Sequence, residues 1–143
     1  MLAKDYLEAQ RSYAVDAFKA SAVLAAGIIE GMLLDAIQWP EVLAHPDYPA
    51  AVSKFPARDG AINWDKVSLR FLIAAAVAVG LLATTSGRMA EGATDFRDTV
   101  HPNAELRLGA RAGREESELL LALVRLMYRQ LGLAGRKTAG VAE

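Results

Sequence analysis

The residues best suited by type to do chemistry are Arg97, Asp98 and His101, in the run Asp95-Phe96-Arg97-Asp98-Thr99-Val100-His101-Pro102. An arginine and a histidine four apart share one face of a helix end. The arginine supplies a permanent cation whose planar fork suits phosphate oxygens. The histidine gives or takes a proton near neutral pH. Together they are the minimum for cutting RNA without a metal. One group takes the proton from a 2′-hydroxyl, another protonates the leaving oxygen, and a cation stabilises the charge that builds on phosphorus. The same residues also carry a structural reading. The helix macrodipole favours a histidine at a C-terminus, Pro102 is a common helix stop, and Arg97 can pair with Asp95 or Asp98 on a solvated surface.

Other groups fall around this run. The second of the two histidines, His45, lies in Ala44-His45-Pro46 and reads as an exposed loop residue. Glu30 stands midway along an apolar stretch, so it is paired, neutral, or exposed at a groove, with Arg97 as one candidate partner. Arg107, Arg111 and Arg114 follow the motif and suggest a phosphate-gripping patch, which Glu105, Glu115, Glu116 and Glu118 offset. The sequence shows no glycine-rich phosphate loop and no histidine or carboxylate cluster of metal-ligand type, so no metal or cofactor is expected.

Helices must position these groups. Residues 2–38 hold no proline and are rich in Ala, Leu, Glu and Gln. Leu2, Tyr6, Leu7, Gln10 and Tyr13 repeat at three- and four-residue steps, giving one amphipathic face. The pattern shifts register near Val15-Asp16-Ala17, where Asp16 is expected to cap a second helix over 16–38. That helix is apolar on most sides, which suits a central or interface position. Trp39-Pro40 ends it. Residues 40–62 hold four of the five prolines and the Asp59-Gly60 turn signal, so they read as a long connection with a helical turn near 49–54. Asn63 precedes a helical run to Val79 that stops at Gly80. A further helix is expected over 86–100, then a loop over 103–113. A last helix over 114–131 places Leu119, Leu120, Leu123, Leu126 and Met127 on its apolar face. Residues 1–133 then form one domain with a flexible tail at 134–143.

Composition agrees with an all-α fold and limits the function classes. The hydrophobic share is 53% with only 7% aromatic, so small and straight-chain residues that favour helices dominate. There is no cysteine, which excludes disulfides, thiolate metal sites and a cysteine nucleophile. A net charge of −1 gives no global attraction to nucleic acid or to an acidic membrane. The apolar stretch 20–37 is broken by Glu30 and Asp35, and the stretch 71–83 is shorter than the roughly 20 residues a bilayer needs. With no signal-peptide pattern at the N-terminus, a cytoplasmic location is expected.

From about Asp5 to Leu131 the chain resembles the HEPN superfamily of helical domains. The resemblance runs through the Ala-rich stretch from Ala17 to Leu34 with its acid Glu30, and through Leu72-Ile73-Ala74-Ala75-Ala76 to Gly80-Leu81-Leu82. It is sharpest at Phe96-Arg97-Asp98-Thr99-Val100-His101-Pro102, similar to the family's arginine, polar residue, spacer and histidine signature. Only three residues separate Arg97 from His101, a shorter spacer than the catalytic form of that signature usually has. The resemblance implies a four- to five-helix up-down bundle, commonly a homodimer. It further implies a metal-independent endoribonuclease of toxin–antitoxin, antiviral or RNA-processing type, with Arg97, Asp98 and His101 as active positions. A two-fold axis beside the motif would supply both an acid and a base from one histidine per chain. Two other readings stand beside this one: a non-catalytic dimerisation or interaction module, and the partner of a nucleotidyltransferase in a two-component system.

Overall fold

The computed structural model describes residues 2–99 and 113–132. Among these the fold is helical apart from one two-stranded hairpin. The chain opens with α1 (Leu2–Ala14), which turns Tyr6, Ala9 and Tyr13 toward the core. Asp16 does not cap the next helix as the sequence suggests; it closes α1. Its φ of 61° is left-handed, the Ala17 N–H donates to the Ser12 carbonyl at 2.8 Å, and the Asp16 N–H donates to Tyr13 at 3.0 Å. This is a Schellman-type stop, with aspartate in the position glycine usually takes. The second helix, α2 (Phe18–Ala36), follows Ala17 with no side-chain cap. So short a connection makes α1 and α2 packed neighbours.

The apolar excess of α2 has a structural cause. This helix contacts α1 on one side and three later helices on others, so most of its circumference is interior. Ala22, Ala25, Ile29, Leu33 and Ala36 are all buried, and the alanines let neighbouring backbones approach closely. Trp39 ends the helix by folding back, its indole N–H donating to Asp35 Oδ2 at 3.2 Å.

Residues 40–67 are more ordered than a plain connection. They form two single-turn helices, α3 (Pro40–Leu43) and α4 (Tyr48–Ala51), so the helical turn begins slightly earlier than expected. A hairpin follows, in which β1 (Ala57–Arg58) pairs antiparallel with β2 (Ala61–Ile62). Asp59 and Gly60 form its two-residue loop with φ of 55° and 80°, the doubly left-handed turn that Asp-Gly favours. Phe55 packs edge-on to Trp64 and parallel to Phe71, with ring centres 6.0 and 6.2 Å apart, fastening the segment to the next helix.

The run expected from Asn63 to Val79 divides in two. A 3-10 turn (Trp64–Lys66) is separated by an extended Val67 from α5 (Leu69–Ala78). Ser68, which the sequence pattern did not single out, is the true cap; its hydroxyl accepts the Phe71 N–H at 3.3 Å. Gly80, at φ 77°, stops the helix as expected, and the Leu81 N–H donates to the Ala76 carbonyl at 2.8 Å.

After this turn runs α6 (Thr84–Thr99). Its approach to α5 depends on Gly87. A β-carbon there would lie 2.5 Å from Val77 Cγ2, inside van der Waals contact. Replacing Gly87 with alanine is expected to destabilise the fold by about 1–2 kcal/mol, the overpacking cost exceeding alanine's gain in helix propensity. A lower urea midpoint at unchanged slope checks this; an unchanged or higher midpoint contradicts it.

The last described helix is α7 (Arg114–Gln130). Its first turn is closed by the Glu116 carboxylate, which accepts the Gly113 N–H at 3.0 Å. Its buried face differs from the expected one. Leu120, Leu123 and Met127 are interior, but Leu121 and Val124 join them, while Leu119 is 41% exposed. The cause is that α7 contacts α1, α2 and α6, which widens the buried stripe. Ser117 donates to the Phe18 carbonyl at 2.6 Å and ties α7 to the start of α2. Among the described residues no helix is long and apolar enough to cross a membrane. Of the loop expected over 103–113, residues 103–112 lie outside the described residues, as does the tail from 134.

Candidate functional site

The first residues of the sequence motif, Arg97 and Asp98, fall on α6, and several contacts fix that helix before they are reached. At its start, Gln130 at the end of α7 serves both helices. The Gln130 amide donates to Ser86 Oγ at 2.6 Å, and its carbonyl oxygen accepts the Ala83 N–H at 3.4 Å. This satisfies a donor at the helix entrance that has no intrahelical partner. Along the inner face Ser86, Gly87, Ala90 and Thr94 are buried, following the three- and four-residue steps of a packed helix.

Thr94 is the last anchor. Its hydroxyl donates to the Glu91 carbonyl at 2.6 Å and accepts from Arg70 Nη2 at 3.2 Å. Arg70 therefore reaches from α5 to α6 one turn before the motif. Sequence reasoning missed it, because residues 69–79 read only as an apolar run; a lone arginine near the start of that run was the available signal.

Arg97 and Asp98 lie in the last turn of α6, which ends at Thr99. His101, Arg107 and Arg111 lie outside the described residues. Glu30 is half-buried on α2, away from the stripe of Ala22, Ala25, Ile29 and Leu33. By helical spacing it shares a more open strip with Val23, Gly27 and Leu34. Since α6 packs on α2 as well as on α5, the elements carrying Glu30, Arg70 and Arg97 are in mutual contact.

His45 is engaged in its own loop, where its Nδ1 accepts the Asp47 N–H at 3.1 Å. Among the described residues no group of three histidines or carboxylates comes together to hold a metal ion.

A second polar cluster joins α1 to α7. Tyr13 donates its hydroxyl proton to Glu118 Oε1, and Arg114 Nε donates to the Tyr13 oxygen at 3.2 Å and to Glu118 at 3.4 Å. The Tyr13 hydrogen bond, helped by Arg114, holds the Glu118 carboxyl below its usual range. A carboxyl depressed in the folded state contributes stability above its unfolded pKa. That contribution is lost as pH falls through the folded value. Tyr13→Phe is therefore expected to reduce the loss of melting temperature on acidification through the carboxylate range. Identical acid limbs in the two proteins would contradict that assignment.

Comparison of the chain with protein-family models, with curated proteins and with solved structures finds no match.

Proposed function

We propose that this protein is a HEPN-like, RNA-handling helical domain that works as a homodimer, with Arg97, Asp98 and His101 as its active positions. The observation that carries this reading is the register of α6. Gly87, Ala90 and Thr94 are buried at three- and four-residue steps along α6, and the last turn of that helix carries Arg97 and Asp98. The motif thus follows a helix pinned at both its start and its middle, as a positioned group requires.

In this reading Arg97 grips a phosphate, His101 moves the proton, and Asp98 orients its neighbours. Arg107 and Arg111 extend the grip along the RNA backbone. A second copy of the chain brings the second histidine, so that one acts as base and the other as acid. Arg70 adds a cation from α5 and Glu30 an acid from α2, both on helices that contact the one carrying Arg97.

Fluorescence anisotropy with labelled single-stranded RNA tests the binding part. Arg97→Ala is expected to weaken affinity at least tenfold with the helical spectrum retained, and Arg70→Ala to weaken it severalfold. Equal affinity in all three proteins would remove the RNA reading. A change in assembly state without any RNA preference would favour the interaction module instead.

A further inference from the structure

Where α1, α2 and α7 meet, a cavity of about 430 Å³ opens to the surface. That volume lies within the roughly 300–1,000 Å³ of small-molecule sites. Ile28 and Met32 from α2 and Val124 from α7 line it, so its walls are apolar. Water gains little in such a space, having few partners to bond.

The mouth has a different chemistry. Arg125 and Arg129 stand four apart on α7, hence on one face, and both border the cavity; among the described residues no Asp or Glu does. Arg125 Nη1 donates to the Tyr6 hydroxyl at 3.1 Å, which holds the guanidinium beside the opening. Arg129 makes no side-chain hydrogen bond or ion pair among the described residues, and it is exposed. An apolar enclosure with two cations at its rim matches a ligand that is apolar along its body and anionic at one end. None of the residues lining it belongs to α6.

We propose that this cavity binds an amphipathic monocarboxylate, its aliphatic body against Ile28, Met32 and Val124 and its carboxylate on Arg125 and Arg129. The planar guanidinium fork favours a carboxylate at this mouth. The site is separate from the proposed RNA site, and either can fail without the other.

Isothermal titration of the full chain with decanoate, below its micelle concentration, tests it. One decanoate per chain is expected. Arg129→Gln, an exposed change that breaks no hydrogen bond or ion pair among the described residues, is expected to weaken binding at least tenfold. Decanol, with the same body and no charge, is expected to bind at least tenfold more weakly than decanoate. Ala3→Phe, an exposed substitution at the cavity lining, is expected to exclude the ligand. No saturable binding, several decanoates per chain, or equal affinities for decanoate and decanol would each overturn the proposal. So would unchanged decanoate binding in both Arg129→Gln and Ala3→Phe.

Discussion

Alanine at Arg97 or at His101 is expected to lower RNA cleavage by roughly 10²–10⁴-fold while the helical circular dichroism spectrum is retained. The expectation of a retained fold comes from where α6 is held. Gln130 on Ser86, the close approach of Gly87 to Val77, and Arg70 on Thr94 all act before residue 97. Lysine at 97 keeps the charge but loses the bidentate fork, so it is expected to fall between arginine and alanine. Rates measured at saturating RNA separate this from a loss of binding. Full activity in His101→Ala would assign the proton transfer elsewhere.

The second large effect concerns the scaffold. Ile29→Ala is expected to cost about 2–5 kcal/mol, because it removes a fully interior side chain from a helix enclosed on most sides. Ile29 is 0% exposed on α2, and α2 touches α1, α5, α6 and α7, so none of them can close the gap without leaving another neighbour. Leu43→Ala, at a position 48% exposed, is the control and is expected to change stability by at most about 0.5 kcal/mol. Urea denaturation of the two variants checks both. Equal midpoints would mean that α2 is not the centre of the packing.

Much of this architecture is legible in the sequence, because local rules decide it. A helix apolar on most sides must be enclosed on those sides, and α2 is, apart from the strip that carries Val23 and Gly27. Gly80 ends α5, and Asp59-Gly60 makes the tight hairpin loop, each through a left-handed backbone that few residues tolerate. Non-local features were not legible. Asp16 reads as a cap because aspartate commonly caps helices, yet the chain uses its tolerance of positive φ instead. The leucines of α7 allow two nearby apolar faces, and only the arrangement of three neighbouring helices selects the one with Leu121 and Val124. Gly87 looks like an ordinary helical glycine until Val77 is placed beside it. The motif itself was visible by residue type and spacing. Its setting was not: Arg70 and Thr94 are 24 residues apart in sequence, and no pattern links them before the helices are packed.

Metal-free RNA cleavage at Arg97 and His101 would show in the chemistry of the cut ends. Labelled single-stranded RNA, incubated with the protein in EDTA, is expected to yield fragments with 2′,3′-cyclic phosphate and 5′-hydroxyl ends. His101→Ala should leave the same RNA intact. RNA left uncut by the wild type, or fragments carrying 3′-hydroxyl and 5′-phosphate ends, would contradict the claim.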